Sequence, residues 1–408
     1  MGLAITICGM YYAPEHTGSA PYIAGIARGL AERGHQVTMV TGFPHYPSWD
    51  AGDVPWRSVE HDQGVEVVRL RHYVPSDPSS LRRIAYETSF GGRAVASRWG
   101  RPDVVLLTSP TLLSSAMAAV RVRWGRRRPP LGVVVHDLYG RGASENLGQG
   151  GAVVSALERV ESMTLRAADG VTVIHDRFRD VLRDDLAVPE DKVTVIRNWT
   201  HIEPVAGVDR ASVRARLGWG DEVVVLHAGN MGAKQGLSHV VEAARRADEQ
   251  AAPVRFALLG DGNQRAELEQ AGRGIRSLQF IAPLPDREFV EALAAADVLL
   301  VHEKPGLSES AVPSKLTSYF AAGNAVLGAL DPEGVTAQEL RESGGGVVIA
   351  AGDPSNLVDA AVELGRDPRR RAALAESGLL HTQETLSEKR ALDRYDTWVR
   401  DLSVVRGR

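Results

Sequence analysis

Short apolar runs recur along the chain and alternate with longer stretches whose apolar positions repeat every three to four residues. The short runs have the pattern of strands buried on both faces, and the longer repeats that of helices with one buried side. Strands are predicted at residues 4–8, 36–41, 65–70, 104–107, 132–135, 170–174 and 193–196, then at 222–228, 254–259, 278–280, 298–301, 325–328 and 346–349. Helices fall between them, among them 21–33, which Gly34 stops, 153–168 and 239–246. Alternation of this kind predicts parallel sheets covered by helices, the doubly wound α/β class.

The strand pattern stops near residues 198–209, where Pro204-Val205-Ala206-Gly207 intervenes, and then restarts. The expected architecture is two Rossmann-like domains facing a central cleft, 1–203 and 204–387. The tail, residues 388–408, contains an amphipathic helical stretch with Tyr395 and Trp398 and is expected to pack back on the first domain. Ligands of such sheets bind at the carboxyl ends of the strands, and helix N-termini there suit phosphate.

The length of 408 residues exceeds what one core supports, in keeping with two domains. Composition is that of an ordinary folded chain, 44% hydrophobic and 24% charged, which excludes disordered, collagenous and disulfide-stapled classes. The net charge of -4 gives no reason to expect nucleic acid as a partner. Only five of the 47 basic residues are lysine: Lys192, Lys234, Lys304, Lys315 and Lys389. The one cysteine, Cys8, sits in an apolar run and is expected to be a buried core residue in a reducing compartment. No secretory leader or bilayer-length apolar stretch is visible, so a cytoplasmic protein is expected.

Five segments carry candidate chemistry. Residues 14–22, Pro-Glu-His-Thr-Gly-Ser-Ala-Pro-Tyr, join the first strand to the first helix; Gly18 permits a left-handed backbone and a close ligand. His136 and Asp137 follow a buried strand, where a histidine can bond a ligand or move a proton. Residues 229–236, Gly-Asn-Met-Gly-Ala-Lys-Gln-Gly, offer backbone N–H groups and the Lys234 charge to a diphosphate, without being a Walker A loop. Gly260-Asp261-Gly262 is a further glycine loop after a strand, and Leu284 lies after the next one. In residues 301–323 a helix start at Pro313-Ser314 is joined by Lys315 and preceded by Glu309, which suits an anion beside sugar hydroxyls. There is no G-x-S-x-G, H-E-x-x-H or metal-ligand spacing, which disfavours hydrolases and metalloproteases.

In this order the segments resemble GT-B glycosyltransferases of family 4. They are most like the branch that builds cell-surface polysaccharides, with its Thr-Gly-x-Ala-Pro-Tyr, Thr-Gly-Phe-Pro-His-Tyr-Pro (residues 41–47), Gly-Asn-x-Gly-x-Lys-Gln-Gly and Pro-Ser-Lys-Leu segments. The resemblance covers nearly the whole chain. It implies retaining transfer from a nucleotide-diphosphate sugar, UDP- or GDP-linked, as co-substrate, with no permanently bound cofactor or metal. By resemblance His136, Lys234 and Glu309 are the catalytic set. Donor contacts fall on Gly18, Ser19, Gly229, Asn230, Lys234, Gly260, Leu284, Glu309, Ser314, Lys315, Leu316 and Ser318. Acceptor contacts fall on His16, Thr17, Tyr22, His45, Tyr46, Asp137 and Tyr139. The chain departs from the family at Asn230, where many relatives carry arginine, and at Ser310 and Ser318, which stand at the positions of a Glu-x7-Glu pair.

The expected acceptor is either a lipid-linked glycan precursor or a small metabolite with a hydroxyl or thiol. A basic cluster of Arg121, Arg123, Arg126, Arg127 and Arg128 around Trp124 is either a peripheral contact with anionic lipid or a solvated face. A GT-B epimerase or phosphorylase, and a catalytically weak partner subunit, are the alternatives to a transferase. The chain is expected as a monomer or homodimer.

Overall fold

The computed structural model describes every residue except 1, 16–17, 46–47, 77–79, 139–151, 201–206, 307–313 and 406–408. His16, Thr17, Tyr46, Tyr139, Glu309 and Ser310 therefore lie outside the described residues. The chain forms two compact units, Met1–Asn198 with Glu388–Arg408, and Trp199–Ser387.

The first unit is built on an eight-stranded sheet. Its strands are β1 (Ala4–Cys8), β2 (Gln36–Gly42), β3 (Arg57–Asp62), β4 (Val65–Leu70), β5 (Val104–Thr108), β6 (Leu131–Val135), β7 (Gly170–Val173) and β8 (Val193–Val195), in spatial order β3-β4-β2-β1-β5-β6-β7-β8. All neighbours are parallel except β3 and β4. The strand β3 was not expected. It is a polar edge strand whose single valine carries no apolar run, so its sequence gives little strand signal. It is made by a two-residue hairpin turn: Gln63 and Gly64 both have positive φ, 46° and 85°, as the tight turn matching strand twist requires. Helices α1 (Ala20–Glu32), α2 (Ser80–Ala96), α3 (Leu112–Trp124), α4 (Ala152–Ala167) and α5 (Asp176–Asp184) complete the described helices of this part.

The second unit has six parallel strands: β9 (Val223–Ala228), β10 (Val254–Leu259), β11 (Leu278–Ile281), β12 (Val298–His302), β13 (Val326–Leu330) and β14 (Gly346–Ala350). Their order is β11-β10-β9-β12-β13-β14. Helices α6 (Arg210–Leu217), α7 (Ser238–Glu249), α8 (Arg265–Ala271), α9 (Asp286–Ala295), α10 (Ser314–Ala321), α11 (Val335–Ser343), α12 (Pro354–Arg366) and α13 (Pro368–Glu384) accompany them. Alternate residues of β9 enter different cores. Val224, Leu226 and Ala228 pack with Leu316, Tyr319 and Phe320, whereas Val225 packs with Val240, Phe256 and Leu300. Both faces are covered, which is why the strands read as largely apolar runs.

In each sheet the strand order reverses once, between β1 and β5 and between β9 and β12. Loops leaving the carboxyl ends of those strands diverge and leave a crevice, the usual ligand position in doubly wound sheets.

The last helix, α14 (Glu388–Val405), belongs to the first unit. Glycines make its seat. A Cβ on Gly29 would lie 2.5 Å from Leu392, one on Gly132 2.6 Å from Trp398, and one on Gly170 2.9 Å from Leu402. Polar contacts fix the register: Arg33 pairs with Asp393 at 2.7 Å, and the buried His35 bonds both Leu3 N and Asp396.

Candidate active site

The glycine loops after β9 and β10 are pressed together. A Cβ on Gly260 would stand 2.1 Å from the carbonyl oxygen of Gly229, and both glycines have φ near +130°. No other residue allows this backbone conformation and this approach together. Gly229 N donates to Leu259 O at 2.8 Å, and Met231 N to Asp261 O at 2.8 Å. Gly232 N donates to the Gln235 side chain at 3.1 Å. The loop was expected to present its N–H groups to a ligand; these three are already used within the protein. The Asn230 amide is packed by two glycines, since a Cβ on Gly232 or Gly262 would fall within 3 Å of it. Lys234 is exposed on a short 3-10 turn, and its carbonyl accepts from Lys304 N at 2.8 Å, tying this loop to the segment after β12.

The second cation of the pair is placed differently. Lys315 is the second residue of α10, and its Nζ lies 3.2 Å from His227 Nε2. It also lies 3.6 Å from the point a Gly229 Cβ would occupy, so the bare glycine leaves room for the ammonium. Burial pushes the Lys315 ammonium down to about 7, with the Glu303 carboxylate pulling the other way. His227 is fully buried at the end of β9, and burial followed by the Lys315 charge holds its pKa well below the ordinary value. Its neutral ring can accept from Lys315. Glu303, buried just past β12, accepts from Thr336 Oγ1 at 2.8 Å. His302 Nδ1 donates to Gln235 O at 2.7 Å, and burial pushes its pKa to about 4.

Sequence reading assigned no role to His227 or Glu303. The available signal was a polar residue ending an apolar strand beside the switch between β9 and β12. Among expected donor residues, Leu316 is buried in the core, so only its backbone can face a ligand. Ser318 is also buried, and Leu284 is half-buried against the same core. Ser314 is the first residue of α10. Tyr319 accepts from Ala228 N through its hydroxyl at 2.8 Å, which fixes α10 to the end of β9.

In the first unit, Gly18 has φ +63° and no atom within 4 Å of a would-be Cβ, so it is needed for conformation rather than space. Ser19 immediately precedes α1 without its side chain capping the helix, and its buried Oγ has no hydrogen-bond partner among the described residues. His136 is 6% exposed, and neither ring nitrogen has a partner in hydrogen-bond geometry. Its ring stacks on Tyr22 at 5.8 Å. Burial pushes its pKa to about 4, with the Asn198 side chain acting in the opposite direction. Buried polar atoms are normally paired, so unpaired ones gathered by a helix start and a strand end suit a site completed by ligand.

The Ser109 hydroxyl, just past β5, accepts from His136 N at 2.9 Å and Asp137 N at 3.1 Å. It positions both residues and was missed from sequence. Asp137 is exposed. His45, expected at the acceptor, is instead buried with both ring nitrogens engaged, Nδ1 with Phe43 O and Nε2 with the Tyr86 hydroxyl, while its N–H donates to Glu15.

Two arginines of the basic cluster are internal fastenings. Arg121 donates to the carbonyls of Ala94, Val95 and Ser97 and lies 4.1 Å over the Trp99 ring. Arg123 donates to Ala167 O and pairs with Asp169 at 2.9 Å. Trp124, Arg126, Arg127 and Arg128 remain exposed. No helix of the described residues is long and apolar enough to cross a membrane. Cys8 is buried, and burial raises its thiol to about 12.

Two family models match this arrangement in series: a glycosyl transferase 4-like domain at residues 17–199 and a glycosyl transferases group 1 domain at 222–367. The chain is 32% identical over 342 residues to a putative colanic acid biosynthesis glycosyl transferase of Escherichia coli K12, covering 80% of this chain and 83% of that one. It belongs to the GT-B glycosyltransferases, in the colanic-acid-type branch. A second relative of this glycosyltransferase is the alpha-D-kanosaminyltransferase of Streptomyces kanamyceticus, 26% identical over 53% of this chain and 56% of that one. The glycosyltransferase shares its fold with HepE of Anabaena, solved with UDP, at a TM-score of 0.72 and 15% identity over 98% of this chain and 100% of that one.

Proposed function

We propose that this glycosyltransferase moves a sugar from a UDP- or GDP-linked donor to the hydroxyl of a glycan precursor, with retention and without a bound metal. The Lys315–His227 pair at the carboxyl end of β9 carries the reading. Breaking the bond between the sugar and the diphosphate builds negative charge on the leaving group. Lys315, Lys234 and the first N–H groups of α10 would meet that charge as fixed dipoles and cations, which stabilise it better than mobile water does. Lys315 is suited because part of its charge is unsatisfied before ligand arrives: its contact at 3.2 Å is a neutral imidazole.

In this reading the acceptor oxygen bonds to the anomeric carbon on the face the phosphate leaves. The carbon–oxygen bond to phosphate breaks with its electron pair on phosphate, and a phosphate oxygen takes the acceptor proton. His136, neutral at physiological pH, bonds the donor sugar and does not shuttle protons. By the family resemblance Glu309 would hold donor hydroxyls, and Gly18 and Ser19 would offer backbone groups to the donor.

A glycan precursor is favoured over a small natural product by similarity to the colanic acid protein, which extends over 80% of this chain against 53% for the kanosaminyltransferase. Thermal shift with UDP-, GDP- and TDP-sugars identifies the donor. Turnover with glycan acceptors in the presence of EDTA, with the product anomer read by NMR, tests the rest. Inverted product or loss of turnover with EDTA overturns the retaining, metal-free reading; absence of any donor binding overturns the transferase assignment.

A further inference from the structure

Away from these loops the first unit contains a cavity of about 480 Å3. This is within the range of small-molecule sites, ~300–1,000 Å3. Its walls come from the residue after β2 (Phe43), the following loop (Asp50), the segment before β3 (Trp56), the residues after β4 (Arg71 and His72) and α2 (Arg93). Because β1, β2 and β4 are parallel, it opens on the carboxyl edge of the sheet that also bears the Gly18 loop.

Three of its groups lack matching partners. Trp56 is 67% exposed although it is a large aromatic ring. Arg93 lies 4.7 Å and Arg71 5.8 Å from its centroid. Arg93 Nη2 donates to Trp56 O at 3.0 Å, but Arg93 has no carboxylate partner among the described residues and its Nε is buried without any hydrogen bond. Arg71 donates to Val54 O, with the exposed Asp53 carboxylate 3.8 Å away. His72 Nδ1 donates to Leu70 O, leaving Nε2 buried and unpaired as an acceptor. Room for that ring is made by Gly42, whose Cβ would fall 2.6 Å from His72 Cε1. Among the described residues Asp50 is the one acid lining the cavity, and its Oδ1 is engaged by Gly52 N.

We propose that this cavity is a subsite for a sugar unit of the acceptor that carries an acidic group, a carboxylate or a phosphate. The indole supplies an apolar surface for a sugar ring, as aromatic side chains do for bodies with one apolar face. The guanidiniums meet the acid with paired, charge-assisted bonds. The inference rests on the glycosyl-transfer reading, which supplies the acceptor, and it names that acceptor's charge.

Calorimetric titration of the full chain with methyl glucuronide, glucose 6-phosphate, methyl glucoside, acetate and inorganic phosphate tests it. At least one acidic sugar should bind about tenfold or more tightly than methyl glucoside, and more tightly than either free anion. The arm that binds tells uronate from sugar phosphate. R93Q and R71Q should each abolish the preference for the acidic sugar, and W56A should weaken both sugars; a retained thermal shift with the donor nucleotide shows that each variant folds. Equal binding of methyl glucoside, equal binding of the bare anions, or a preference that survives both arginine substitutions overturns the subsite. Donor binding without acidic-sugar binding removes the subsite and leaves the transferase; acidic-sugar binding without any donor binding removes the acceptor assignment.

Discussion

Lys315 Nζ lies 3.2 Å from His227 Nε2, a half-buried lysine held against a neutral imidazole by residues 88 positions apart. The arrangement stores an unsatisfied positive charge where a diphosphate is proposed to bind. It sets an opposition between stability and function, since a charge kept short of partners is costly until ligand arrives.

Lys315 has a pKa near 7 in the folded protein against an ordinary 10.5. Between those pH values the unfolded chain binds more protons, so this group makes the free protein more stable as pH rises from 7 to 10.5, and its full penalty applies below 7. K315M is expected to raise Tm of the unliganded protein by roughly 2–4 °C per kcal/mol recovered. The same substitution should lower kcat by about 100-fold or more, as loss of one charge-stabilising group does. Affinity for a nucleoside diphosphate should fall as pH rises above 7, with proton uptake visible in calorimetry buffers of different ionisation heat. A K315M protein that keeps full turnover ends the proposed role.

Burial pushes His72, His136 and His302 each down to about 4 from an ordinary 6.5. Between those values the unfolded chain binds the extra protons, so stability is lost as pH falls from 6.5 towards 4. Denaturant midpoints followed across that range should decline, and H302A should flatten the decline. For the same reason H136A should cut turnover without moving the pH profile above pH 5.5; a profile whose limb near 6.5 disappears in H136A contradicts a neutral role.

Two glycines in the proposed donor site should respond unequally to alanine. G260A drives a Cβ to within 2.1 Å of Gly229 O, so the β9 and β10 loops must separate. The expected loss is about 3 kcal/mol or more, in the range of a severe packing or backbone conflict. G18A meets no atom and suffers only the left-handed backbone, ~1–2 kcal/mol. Chemical denaturation of the two variants compares them directly.

The arginines near Trp124 should likewise divide. R121A removes contacts to three carbonyls and the Trp99 ring and should lower Tm by several degrees. Exposed Arg126 and Arg127 should be replaceable by glutamate with Tm nearly unchanged. Co-sedimentation with anionic vesicles, compared between R121A and R126E/R127E, then separates a lipid contact from a folding defect: only the double variant should lose binding if lipid is touched.

The sequence by itself determined the two-sheet architecture, because strands buried on both faces must be unbroken and free of polar side chains, as Leu131–Val135 and Val326–Leu330 are. It also marked the glycine loops and Lys315, whose residue types are restricted by local conformation and charge. It could not mark β3, since an edge strand facing water needs no apolar run. Nor could it separate Arg121 and Arg123 from their exposed neighbours, because spacing along the chain does not tell which carbonyls a guanidinium will meet. It placed His45 at a ligand, while the fold spends both its ring nitrogens inside the unit. Only tertiary structure brought His227 to Lys315, Gly229 to Gly260 and Arg93 to Trp56. Local preference acts over a few residues, and these contacts exist only once the strands have taken their order in the sheet.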